Sequence, residues 1–168
     1  MLTIDGLETR AQGTVAIWSR RGFLALLVAF VLAGLAGLLG VRTATTSARE
    51  AGWSLSLRHA SVARAGLDVP WEVTVTHEGG FGKEVTLAVT GDYFDIFETQ
   101  GFTPDPSEAT RDGDTLYLTF TAPPGDTFVV AYDAYIQPAS QVGRDGTVSV
   151  LDHGESVASV DFDTTLLP

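Results

Sequence analysis

The sequence predicts an all-β antiparallel sandwich of about seven strands, preceded by one transmembrane α-helix. Three observations carry this expectation. Residues 22–41, GFLALLVAFVLAGLAGLLGV, hold no charged side chain. From Trp53 onward apolar and polar residues alternate with a period of two, the mark of strands with one face buried and one wet. Turns containing glycine or proline separate the alternating segments, and no helical periodicity appears after the apolar run.

Taken in chain order, the apolar run comes first. A membrane-crossing helix needs about 20 apolar residues, whereas the apolar core of a signal peptide runs to about 7–15. Residues 22–41 match the first length and read as a retained anchor, with residues 1–21 as a cytoplasmic tail. Arg10, Arg20 and Arg21 precede the run, and Arg42 and Arg49 follow it. This bias places the N-terminus in the cytoplasm and the C-terminal segment outside, at the plasma membrane in a single pass. Thr46-Ser47-Ala48 resembles a cleavage site, so a processed, secreted form is the alternative. Within the run Ala25, Ala29, Ala33 and Gly37 recur every four residues. On a helix they make a small-residue face against which a second helix packs closely, from a second copy or from another integral membrane protein.

Residues 42–52, RTATTSAREAG, read as a short polar linker, and residues 53–168 as the extracytoplasmic domain. Trp53, Leu55 and Leu57 open the alternation, followed by Trp71, Val73 and Val75, then Val85, Leu87 and Val89. Leu116, Leu118 and Phe120 form a fourth strand, and Phe128 to Ile136 a longer fifth. Thr147–Val150 and Ala158–Phe162 close the series. HEGGFGK, RDGDT, APPGDT, GRDGT and DHGES supply the turns between them. The connection from Gly91 to Thr110 breaks the rhythm, because Tyr93, Phe94, Ile96 and Phe97 are too closely spaced for one strand face. These aromatics are either plugs for the core or, if exposed, a loop for contact with a partner.

Two stretches, SVARAGLDVPWEVTVTHEGGFGKEVTLAV and LYLTFTAPPGDTFVVAYDAYIQP, resemble the early and late strands of bacterial immunoglobulin-like, fibronectin-type-like domains. The cysteine pair and the mid-strand tryptophan of antibody domains are missing. The whole chain is similar to single-pass bacterial envelope proteins that carry such an ectodomain. The resemblance implies an immunoglobulin-like β-sandwich and names no activity, since sandwich folds host unrelated functions.

Composition narrows the function. Residues 51–168 carry 18 acidic side chains against five basic ones, Arg58, Arg64, Lys83, Arg111 and Arg144. Such a surface repels nucleic acid. With no cysteine in the chain, thiol catalysis, thiolate metal sites and disulfides are excluded. His59, His77 and His153 show no metal-ligand spacing, and no nucleophile elbow or phosphate loop occurs. Asp112 and Asp114, flanking one glycine in a turn, are weak calcium candidates without the rest of a calcium loop. No catalytic residue and no cofactor is expected.

The chain therefore reads as a non-catalytic accessory or interaction subunit, binding another membrane or envelope protein through its sandwich and its helix. Two rival readings are a secreted or surface module for carbohydrate or cell-wall polymer, released near Ala48, and a surface hydrolase using paired carboxylates.

Overall fold

A computed structural model describes residues 14–35, 37, 40–98 and 100–167. The chain divides into two compact units, Met1–Gly40 and Val41–Pro168.

In the first unit, helix α1 spans Thr14–Leu35. Its residues Val15–Leu35 are long and apolar enough to cross a membrane, and a signal sequence has the same features. Both of its ends differ from the expected span of 22–41. It starts earlier, so Arg20 and Arg21 lie on it, with the Arg21 guanidinium over the Trp18 ring at 5.8 Å. It also stops earlier. Gly37 takes φ +71°, and its N–H donates to the Gly34 carbonyl at 3.0 Å, which is how a left-handed glycine closes a helix. Apolarity marks the run, but glycine ends the helix inside it. The uncharged helical part, 22–35, is about 21 Å long, short of the ~30 Å hydrocarbon core. The flanking arginines can extend that reach by snorkelling.

Among the described residues the second unit holds twelve strands. Seven are those the alternation foretold: β2 (Trp53–Arg64), β4 (Trp71–His77), β5 (Glu84–Thr90), β8 (Thr115–Thr121), β9 (Thr127–Tyr132), β11 (Arg144–Asp152) and β12 (Glu155–Leu167). The others are β1 (Arg42–Glu50), β3 (Asp68–Val69), β6 (Phe102–Thr103), β7 (Glu108–Asp112) and β10 (Ala134–Tyr135). Nine strands follow the order β6-β9-β4-β2-β12-β11-β5-β8-β7 in one curled half-barrel, and β1 pairs with β2 outside that order. The expected layout had two separate sheets; here β2 and β12 join the two halves.

The join follows from strand length. β12 pairs with β11 from Glu155 to Thr164 and then runs parallel to β2, with Thr165 opposite Val62 and Leu167 opposite Arg64. β2 makes the complementary switch, pairing with β4 through His59 and with β12 from Val62. Between these segments it carries an irregularity in its β1 pairing: Arg42 faces Val62 while Thr43 faces Ala60. A bulge of this kind bends a strand and re-aims its side chains. His59 and Ala60 are both buried as a result.

The core lines the inside of the curl. Trp71, Val73, Val75, Leu118 and Phe120 are buried as expected, and Leu116 is partly buried. The fifth strand breaks at Asp133 into β9 and β10, yet Phe128, Val130, Tyr132, Ala134 and Ile136 all stay inside. The Gly91–Ile96 segment is a 3₁₀ helix. Tyr93, Ile96 and Phe97 are buried, and Phe94 packs against Trp71, Phe102 and Tyr132. These four residues therefore close the core and do not form a partner-contact loop; an aromatic cluster of this size gains more inside than in water. On β11, Gly146 leaves room for the Phe162 ring and Tyr93, and a Cβ there would stand 2.9 Å from Phe162.

A buried hydrogen-bonded chain ties this plug to the join. The Thr164 hydroxyl donates to the Ala60 carbonyl at 2.6 Å, so the Tyr93 hydroxyl, 2.9 Å away, donates to Thr164. Burial pushes the Tyr93 phenol up to about 12, against the opposing effect of its bond to Thr164, which keeps it a donor. Replacing Thr164 with valine keeps the shape and strands the Tyr93 hydroxyl. Thr164→Val is expected to cost about 1–3 kcal/mol in chemical denaturation. Adding Tyr93→Phe should cost little more, and full additivity of the two would show the chain is not formed.

His59 sits beside the same join, packed on the Phe162 ring at 5.4 Å. Burial holds its imidazole below the ordinary value near 6.5, partly offset by the Asp163 carboxylate and nearby backbone. The unfolded chain thus takes up a proton before the folded one. His59 supports the fold above about pH 6.5, and that support is lost as pH falls from there through the lower folded value. Denaturation midpoints should fall more steeply between pH 7.5 and 5.5 in the parent than in His59→Gln; equal slopes would show that His59 is not neutral in the fold.

Candidate functional site

Three places on the β unit expose groups that can act on another molecule. The first is a cleft of about 540 Å³ lined by Trp53, His77, Lys83, Glu84, Asp152 and His153. The Trp53 and His77 rings stack at 4.1 Å and 18°, with Phe81 at 5.9 Å from Trp53. One face of the tryptophan is thus already covered, leaving a poorer platform for a sugar ring. The His77 Nδ1 lies 2.8 Å from the Gly80 carbonyl, an acceptor, so this nitrogen carries the proton. That bond fixes the turn between β4 and β5. His153 is exposed in a turn, 3.7 Å from the Asp152 carboxylate. The cleft brings charges of both signs to its rim and assembles no nucleophile–base pair among its lining residues.

The second place is the β7–β8 turn with the calcium candidates Asp112 and Asp114. Both are exposed, and a cation already occupies the neighbourhood. The Arg111 Nε donates to the Gly113 carbonyl at 3.1 Å, and its Nη2 pairs with Asp92. Among the described residues no three His, Asp or Glu side chains converge as a metal site. Asp161 accepts a hydrogen bond from Thr147 at 2.7 Å on the exposed face of β12.

The third place is residues 42–52, expected from sequence to be a linker. Residues 42–52 form β1 and a two-residue turn in which Ala51 and Gly52 both take positive φ, 49° and 86°. This is the turn geometry that matches strand twist in a hairpin. β1 pairs with β2 along its whole length, from Glu50 opposite Trp53 to Arg42 opposite Val62. Ala44, Thr46 and Ala48 face partly inward, while Thr43, Thr45, Ser47 and Arg49 are exposed. Alternation was present in the sequence, but alanine and threonine give it too little contrast to register as a strand. Three threonines in nine residues, with Ala-Gly before the next strand, were the signal that could have found it.

Among the described residues no strand pairs with the outer edge of β1. The two ends of the nine-strand order are better protected. β7 is fully exposed but carries Glu108, Arg111 and Asp112, and β6 has only two residues before Pro104. Charge, shortness and proline are the devices that keep edges from pairing. Thr43–Ala48 has none of them.

The helix face is shorter than expected. Ala25, Ala29 and Ala33 lie on α1, whereas Gly37 lies beyond its end in a turn. Helical periodicity therefore does not carry Gly37 onto the same stripe. No protein-family model matches this sequence, and a search of curated proteins finds none similar to it.

Because β1 is part of the domain, cleavage after Ala48 would remove most of a strand and uncover the edge of β2. A chain starting at Arg49 is expected to be less stable than one starting at Val41, by on the order of 2 kcal/mol after the ordering cost of the strand. Equal urea midpoints would show that β1 adds nothing to the fold.

Proposed function

We propose that this chain is a non-catalytic, single-pass membrane protein whose β domain lies outside the cytoplasm and binds another protein by strand addition at β1. The observation that carries this reading is the nine-residue outer edge of β1, unpaired among the described residues and without charge in its middle. An edge of this kind offers a row of backbone donors and acceptors, and an added strand gains affinity from main-chain hydrogen bonds. The apolar helix and the arginines before it support membrane anchoring with the N-terminus inside.

The domain itself is proposed to be an immunoglobulin-like sandwich. The strand order supports this: β9-β4-β2 on one side and β12-β11-β5-β8 on the other, with β2 switching from one half to the other. The acidic surface serves solubility and disfavours nucleic acid as the partner.

A photo-crosslinking side chain placed at Thr45 of the full-length chain in intact cells is expected to give a discrete protein adduct. The same group at Val129, exposed on β9, should give none. Absence of an adduct at Thr45 would overturn strand addition at this edge.

A further inference from the structure

The two-residue turn fixes which backbone groups of β1 face outward. It makes Glu50 and Trp53 a hydrogen-bonded pair, so Ala48, Thr46 and Ala44 also bond to β2. The N–H and C=O groups of Thr43, Thr45, Ser47 and Arg49 then point to the open edge. Two antiparallel copies of β1 can bond only in registers that set these odd-numbered residues against one another.

One such register uses the whole strand. With Thr46 opposite its own copy, Thr45 faces Ser47 and Thr43 faces Arg49 as hydrogen-bonded pairs. Ala44 faces Ala48, and Arg42 faces Glu50 at both ends. Among the described residues neither Arg42 nor Glu50 has an ion-pair partner within the chain. Both lie on the same face of the strand, because their positions differ by an even number. Directly opposed side chains of opposite charge stabilise an antiparallel pair, and no like charges meet in this register. Moving the register by two residues loses both charge pairs.

We infer that the occupant of the β1 edge is a second copy of this chain, joined antiparallel about a two-fold axis at Thr46. This rests on the strand-addition reading and adds the identity and register of the partner. A symmetric pair of this kind closes on itself and leaves no free edge at the junction.

Cysteine crosslinking of the full chain in membranes tests it, since the chain has no cysteine of its own. Opposed residues in a non-hydrogen-bonded pair have Cα atoms about 4.5 Å apart, within reach of a disulfide. Thr46→Cys is expected to form a disulfide-linked dimer under mild oxidation. Ala44→Cys and Ala48→Cys should each stay monomeric alone and crosslink when mixed. Arg42→Glu should weaken dimerisation by about tenfold, and Glu50→Arg added to it should restore the dimer.

If Thr46→Cys stays monomeric while the Thr45 crosslinker still captures a protein of another mass, the second copy is overturned and strand addition stands. Loss of both signals, with the fold intact by circular dichroism, overturns both. Equal crosslinking at positions 44, 46 and 48 would reveal random collision and also overturn the proposed register.

Discussion

The fold turns on Thr164, where β12 stops pairing with β11 and begins to pair with β2. A strand that changes neighbours must bend away from one set of hydrogen bonds into another. Polar groups at such a bend are buried and need partners. The Thr164 hydroxyl meets this need on both sides, giving its proton to Ala60 and taking one from Tyr93. Two halves of a curled sheet and the 3₁₀ plug are thereby held by one side chain. Small residues make the approach possible: a Cβ on Gly143 would overlap the Thr164 carbonyl, and Gly146 admits Phe162 and Tyr93. With no cysteine to staple it, the domain relies on packing and on this junction.

The aromatic plug shows how local irregularity serves the whole. Tyr93, Phe94 and Phe97 sit in a segment that fits no strand, yet their rings meet Trp71, Phe102, Tyr132 and Phe162 edge to face. Their close spacing in sequence suits a 3₁₀ turn, which brings successive side chains round quickly. His59 extends the same cluster, and its low proton affinity is the consequence of being enclosed by it. The buried cluster thus governs stability and pH response, while the open cleft sets the stacked Trp53 and His77 rings beside charges of both signs.

How much of this was legible depended on contrast between neighbouring residues. The seven long strands announced themselves because valine, leucine and phenylalanine alternate with threonine, serine and acids. β1 did not, because its inward positions are alanine and threonine. The Gly91–Thr110 connection revealed its aromatics but not whether they faced in or out; only the packing decides that. The apolar run was plain, whereas its helical limits were set by Gly37 at one end and by residues before Arg20 at the other. The join between β2 and β12 was invisible, since parallel pairing between the first long strand and the last leaves no local pattern. The open edge was hidden with β1 itself, as a linker has no edge.

Together β2 and β12 form one structural unit that holds both halves of the sheet. Amide hydrogen exchange of the full-length protein tests it most directly. The amides of the β2–β12 junction, across Ala63–Arg64 and Thr165–Leu167, should exchange only with global unfolding, at the same free energy as those of Val73 and Val148. Early exchange at the junction, with Val73 and Val148 still protected, would show instead two halves that open independently.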